Sequence, residues 1–351
     1  MYSLLAWVFT LLPLVQTAHG VTTHYPQTSA HLAKRADDLD RKVATLSKTL
    51  SKTAKIILRS SPEWDALQIR GSSPRVTPHY SVVVEVGTES DVQLTVSLAH
   101  RYNIPFLVVS GTHGWTETLN KLPYGIQINM RKLNSTTVSS DGKTALVQGG
   151  ALQYEVTRSL FAKSKYAGEY VHVHVSPSLG LTSLKQVTGL AECVSVVGPL
   201  MGGGHSILQN QYGYALDNLV SAKLVLANGT TTEASSSKNR DLFWALKGAG
   251  HNFAIVTSMV VKVYNVPSKW TVYSLVFKQD KLESLFGLVN KFEDLSIPRP
   301  TKLALTGVFV RISAIDANSV SLFAINTQLH FTKRLFPTVT NQYPSLLLHT
   351  Q

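Results

Sequence analysis

The sequence predicts an α+β fold built from α/β lobes, and three observations carry that expectation. Strand-like and helix-like stretches alternate with short links between Ser81 and Ala162, the pattern of α/β packing. A content of 44% hydrophobic and 15% charged residues over 351 positions describes a globular chain with real cores, long enough for two domains. A glycine-rich stretch, with Gly198, Gly202, Gly203 and Gly204 behind the apolar run Val194–Val197, marks a place where bare backbone passes close to something.

The elements follow in chain order. Residues 1–20 carry no charged side chain, and Leu4–Val15 is apolar. Small Ala18 and Gly20 close a plausible cleavage site, so the segment reads as a secretory signal peptide. It is too short to span a bilayer comfortably. The sequons at Asn134 and Asn228 agree with export and an extracellular glycoprotein. Cys193 is the only cysteine, so no intrachain disulfide forms. Leu39–Leu58 reads as one amphipathic leader helix, with Leu39, Val43, Leu46 and Leu50 inward. Lys34-Arg35 before it is either a processing site or part of an exposed lead-in.

Ser81–Val86 is a short strand. Ser90–Tyr102 is a helix, with Asp91 near its start and Val92, Val96 and Ala99 inward. Pro105–Val109, Ile126–Met130 and Thr144–Gln148 are strands, and Tyr154–Ala162 returns to helix. Further on, Trp270–Phe277 reads as a strand. Asp280–Leu295 reads as a helix with Leu282, Leu285, Phe286 and Val289 inward. Ile312–Gln351 is apolar and Ser/Thr-rich without clear periodicity. The net charge of +12 comes from scattered Lys and Arg, which argues against a nucleic-acid face while leaving room for anionic partners such as acidic polysaccharide.

The chemistry sits in two loops. The glycine triplet fits neither phosphate-binding fingerprint, because His205 follows it where a Lys-Ser would stand and no GxGxxG opens a helix. A surface turn and a cofactor cradle explain it equally well. Upstream, Ser110-Gly111-Thr112-His113-Gly114 leaves the carboxyl end of a strand, where α/β sheets collect ligands. Its backbone amides suit a pyrophosphate, and His113 is either an attachment point or an ordinary loop histidine.

Taken together, PFLVVSGTHG at 105–114, GIQINMRKLN at 125–134, ALVQGGA at 145–151, the stretch 193–229 and NRDLFWALKGAGHNFAIVTS at 239–258 resemble FAD-linked oxidases with a PCMH-type FAD-binding domain, in the berberine-bridge-enzyme-like branch. The resemblance implies a two-lobed FAD-binding domain at 75–267 after a helical lead-in at 21–74, then a truncated antiparallel-sheet substrate domain at 268–351. It implies FAD, held by the loop Ser110–Gly114, with an 8α-histidyl bond through His113. Thr112 stands where the family usually has Gly. It places the second, cysteinyl position of the family on Ala191, leaving Cys193 free and at most one covalent link. Gly198, Gly202, Gly203 and Gly204 become the bed under the flavin. Asp217 and Asn218 lie toward the adenosine half, and Ile255 and Val256, with Gly248 and Gly250, form the closing strand. Ala254 replaces a usual Gly. Trp244 and Phe243 read as core, and His205 reads equally as facing substrate or as a surface residue.

The implied reaction is hydride transfer from a substrate C–H to flavin N5, with O₂ as acceptor giving H₂O₂. Partners are then a small-molecule substrate and O₂, with no nucleic acid and no membrane span. The substrate class implied is a sugar, an alcohol or a secondary metabolite. Residues 168–186 depart from the family and read as an insert, a translated intron. His172 and His174 share one strand face there without a third metal ligand. No counterpart of the family's Tyr base or its late Asn-Tyr segment is found. The alternative reading is therefore a truncated or mis-spliced, non-catalytic FAD-binding scaffold.

Overall fold

The computed structural model describes residues 29–68, 75–167 apart from 115 and 123, 193–265 apart from 207, 271–290, 301, 303–312 and 316–326. The signal segment 1–20, the insert 168–186 with His172 and His174, Ala191 and residues 327–351 lie outside them.

The first lobe begins with α1 (Ser29–Leu46), which contains Lys34-Arg35. Its Leu39, Val43 and Leu46 are buried in the lobe's core. The helix ends there, and Lys55–Leu58 is a strand, β1, not the end of a longer helix. The expected helix over Leu39–Leu58 breaks because polar Ser47–Thr53 forms turns. Ser51 gives its N–H and hydroxyl to the Asp91 carboxylate, at 2.7 Å each, and β-branched Ile56 and Ile57 then favour a strand. β1 pairs antiparallel with β2 (Val82–Glu85). After α2 (Trp64–Gln68) and β2, α3 (Glu89–Arg101) crosses to β3 (Phe106–Val109), and β4 (Ile126–Asn129) inserts between β2 and β3, parallel to both.

Thr88 caps α3 in a capping box with Asp91. Asp91, Val92, Val96 and Ala99 are buried along α3. All four residues of β4 are buried, as a parallel strand covered on both faces requires. Its polar members are satisfied. Gln127 donates to the Leu67 carbonyl at 3.0 Å, and Asn129 donates to Gln127 at 3.2 Å. Each fully buried aliphatic side chain here, such as Ile128, contributes about 1.5–3 kcal/mol.

The second lobe is an antiparallel sheet. β5 (Thr136–Val138) pairs with β6 (Thr144–Gln148), and β6 pairs with the central β10 (Ile255–Asn265). β8 (Leu219–Val225) lies on the other side of β10, with β9 (Thr231–Ser235) outermost. A short β7 (Lys165–Ala167) pairs with the far end of β10. The inner face packs against α4 (Gln153–Phe161), α5 (Val197–Met201) and α7 (Arg240–Ala249), with Val147, Leu160, Leu200, Leu224, Leu246 and Met259 at the centre. A short helix, α6 (Gln209–Tyr212), precedes β8.

Polar links join the lobes. Thr257 on β10 donates to Glu89 at the start of α3, at 2.5 Å. Arg131, just past β4, grips Glu155 on α4 with two bonds, at 2.7 and 3.1 Å, and donates to the Gly150 carbonyl. Glu155 also accepts from Leu152 N and Asn134 Nδ2. Burial raises the Glu155 carboxyl, and the hydrogen bonds of Arg131, Leu152 and Asn134 outweigh it, so the group sits below its ordinary value. Asp91 behaves alike: burial raises it, and bonds from Ser51, Thr88 and Gly87 hold it down.

Beyond residue 270 a separate three-stranded antiparallel sheet has the order β11 (Thr271–Lys278), β13 (Asp316–Asn326), β12 (Leu303–Ile312). Of the stretch 312–351, which shows no clear period, Asp316–Asn326 is thus a long strand. The helix α8 spans Leu282–Asn290. Leu285 is buried in it, whereas Phe286, expected inward, is exposed: neighbouring positions on a helix point about 100° apart, and the inward direction belongs to Leu285. No helix among the described residues is long and apolar enough to cross a membrane.

Candidate active site

The site forms where a loop of the first lobe meets a segment feeding the second. β3 ends at Val109, and Ser110–Gly114 leaves its carboxyl end. Thr112 holds a left-handed backbone at φ 55, a strained state for a β-branched residue and one that the family's usual Gly adopts freely. Gly111 is required for a different reason. A Cβ there would stand 2.4 Å from Ser195 N and 2.9 Å from the Cys193 carbonyl oxygen. The loop therefore lies directly on the backbone of 193–195.

That segment is itself pinned to the second lobe. Gln153 N donates to the Val194 carbonyl at 2.9 Å, and Val196 N donates to Ala151 O at 3.1 Å. Two backbones fixed this closely bring two nucleophilic side chains together. His113 Nε2 stands 3.0 Å from Cys193 Sγ. His113 is half-buried and Cys193 exposed, so both are reachable. Cys193 is a free thiol, and it stands beside the predicted attachment histidine. The clue in the sequence was that Cys193 opens the glycine-rich stretch itself.

Ser195 Oγ accepts from Gly198 N at 3.2 Å and so steadies the entry to α5. Gly202 is exposed and Gly203 half-buried, and Gly203 has φ +117. A Cβ on Gly203 would meet nothing nearer than 3.9 Å, and one on Gly202 nothing nearer than 3.4 Å, at His251. Gly203 and Gly204 accept through their carbonyls from Leu216 N and Ala215 N, which ties the triplet to the turn before β8. In that turn Asp217 Oδ2 accepts from Tyr214 N at 2.9 Å. Asn218 is buried; its amide donates to the Tyr212 and Tyr214 carbonyls, and its oxygen accepts from Tyr264 at 2.7 Å. Ile255 and Val256 are buried at the start of β10, where a Cβ on Gly149 would come within 2.0 Å of the Val256 carbonyl oxygen.

His205 is exposed and held by Gln209 Oε1 at 3.1 Å, with its ring edge-on to Tyr214. Trp244 is not core. It is 79% exposed, because the inward face of α7 is taken by Ala245 and Leu246, with half-buried Phe243 packed beside them.

A flat, anionic cofactor needs bare backbone facing open space beside groups able to hold it. Gly248, with φ +115, faces open space, since an added Cβ meets nothing within 4 Å, and at Gly202 and Gly203 a Cβ would meet its neighbours only at ordinary contact distance. An imidazole and a thiol converge at the loop. These residues fit FAD.

Comparison with known proteins agrees. An FAD binding domain model matches residues 80–180. The FAD-linked oxidoreductase chyH of Penicillium rubens is 37% identical over 275 residues, 78% of this chain and 51% of its own length. The chain spans about half the length of the curated relatives it matches. Among solved structures, Physcomitrella patens BBE-like 1 shares the fold with a TM-score of 0.68 at 18% identity, over 88% of this chain and 60% of that one. The glucooligosaccharide oxidase of Acremonium strictum, which carries a 6-S-cysteinyl, 8α-N1-histidyl FAD, shares it at 0.67 and 18% identity, over 87% and 58%.

Proposed function

From the premise that this chain belongs with the PCMH-type, berberine-bridge-enzyme-like FAD-linked oxidoreductases, we propose that it is the flavin-binding part of a secreted oxidase. The single observation that carries the site assignment is the 3.0 Å approach of His113 Nε2 to Cys193 Sγ. When bound, FAD would accept hydride from a substrate C–H at N5 and pass the electrons to O₂, giving H₂O₂.

The protein's part is to hold and shield. On this reading His113 and Cys193 hold the ring end, from two backbones so close that a Cβ on Gly111 would stand 2.4 Å from Ser195 N. This reading replaces the single histidyl link with a histidyl–cysteinyl pair, the arrangement named for the Acremonium oxidase. Gly202 and Gly203 keep side chains off the flat face. Amides of Ser110–Gly114 serve the pyrophosphate. The substrate is a small sugar, alcohol or secondary metabolite, and export through residues 1–20 belongs to the same reading.

Acid precipitation of the purified protein tests it. Flavin absorbance is expected in the pellet of the wild type, of His113→Ala and of Cys193→Ala. It is expected in the supernatant of the double variant. Flavin that leaves the wild-type pellet entirely would overturn the covalent assignment. A protein that takes up no flavin at all would overturn the oxidase reading.

A further inference from the structure

The two sequons occupy different structures. Asn134 is exposed between buried Leu133 and β5, but its Nδ2 is engaged: it donates to Glu155 Oε1 at 3.0 Å, beside the Arg131–Glu155 link between the lobes. Its sequon threonine, Thr136, has a buried hydroxyl on a strand. A sugar on Nδ2 would crowd that ion pair.

Asn228 sits instead at the tip of the β8–β9 hairpin. Gly229 N donates to Leu226 O at 2.8 Å and Leu226 N donates to Thr230 O at 2.9 Å, with Gly229 left-handed at φ +84. This is the tight turn with a glycine bulge that three-residue hairpin loops favour. Gly229 is held to its identity by α3, since a Cβ would come within 1.9 Å of Ser97 Oγ. Asn228 and Thr230 are exposed. Asn228 Oδ1 accepts from Thr230 N at 3.0 Å and from Thr230 Oγ1 at 2.7 Å. The Asn228 Nδ2 donates no hydrogen bond among the described residues.

We infer that Asn228, and not Asn134, is an N-glycosylation site of this chain. The donor is a lipid-linked oligosaccharyl pyrophosphate. Nδ2 forms the bond to the sugar C1, the C1–O bond to pyrophosphate breaks, the pyrophosphate leaves with the electron pair, and Nδ2 gives up one proton to the transferase. Nothing is oxidised or reduced. Two bonds to Oδ1 draw density toward the carbonyl oxygen and ease loss of that proton. Residues 226–230 close this turn on themselves, so it forms while the chain is still entering the lumen.

The inference rests on the export reading. Its test is translation of the full chain with microsomal vesicles, followed by protease and then N-glycosidase. The expected result is a protected chain whose gel shift is removed by the glycosidase, lost in Asn228→Gln and Thr230→Ala, and kept in Asn134→Gln and Thr230→Ser. A chain left outside the vesicles overturns export and site together. A protected chain without glycan, or one whose glycan goes with Asn134, overturns the site alone.

Discussion

The two lobes solve the same packing problem in opposite ways. In the first, β4 runs parallel to both neighbours and is buried at every position, Gln127 and Asn129 included. In the second, β6 runs antiparallel and alternates: Ala145 and Val147 face the core, while Leu146 between them is 43% exposed. Parallel strands covered on both faces leave no tolerant position, whereas a sheet with one open face leaves every second one free. The site joins the two regimes. Its loop comes from the intolerant lobe, and its cysteine from a segment tied to the tolerant one.

Four substitutions grade that contrast. Ile128→Ala opens a void in the doubly covered sheet and is expected to cost about 3–4 kcal/mol, read as a lower urea midpoint at unchanged slope. Gly111→Ala drives a methyl into the backbone of 193–195 and is expected to cost about 2 kcal/mol. Its distinctive result is functional: flavin uptake falls while far-UV circular dichroism is kept. A variant that takes up flavin as the wild type does would show that the two backbones can part without consequence.

Glu155→Gln leaves the shape of the link between lobes and removes its charge. A loss of about 1.5 kcal/mol is expected at neutral pH. Asp91 and Glu155 both have carboxyls held below their ordinary values of 3.8 and 4.5. Their stabilisation is therefore complete above those values and declines as pH falls through the lower folded values. Wild type should lose stability on acidification, and Glu155→Gln should show a shallower decline over the same range. An identical acid slope in the two proteins would remove Glu155 from the account. Leu146→Thr, on the open face of β6, is expected to change stability by no more than about 0.5 kcal/mol. A larger loss would mean that this face is covered in solution.

Local signals in the sequence were legible where one element's chemistry is self-contained. Asp91 near the start and inward Val92, Val96 and Ala99 announce α3, and the apolar run Pro105–Val109 announces β3 and hence the loop carrying His113. What depends on distant partners was not. Lys55–Leu58 continues the apolar spacing of the preceding helix, and only its pairing with β2 and the Ser51–Asp91 bonds make it a strand. Trp244 looks like core by size, but which side of α7 is buried follows from the sheet beneath it. The resemblance places the cysteinyl position on Ala191 and leaves Cys193 a free thiol. Its meeting with His113 comes from the missing Cβ of Gly111, a contact that no spacing within either segment records. β13 shows no clear period in the sequence, and its place as a strand follows from pairing with β11 on one side and β12 on the other.

The position of β10 in the chain has a consequence for biogenesis. This strand is the centre of the second sheet, hydrogen-bonded to β6, β7 and β8, yet it is made after all three. On the ribosome the first lobe can close early from contiguous pieces, while β6 and the β8–β9 hairpin wait without their shared neighbour. The floor that supports the Cys193 segment is complete only when residue 265 has emerged. On the reading proposed above, cofactor attachment would come at the end of maturation, and a flavin that survives acid would certify that the newly made chain has finished assembling.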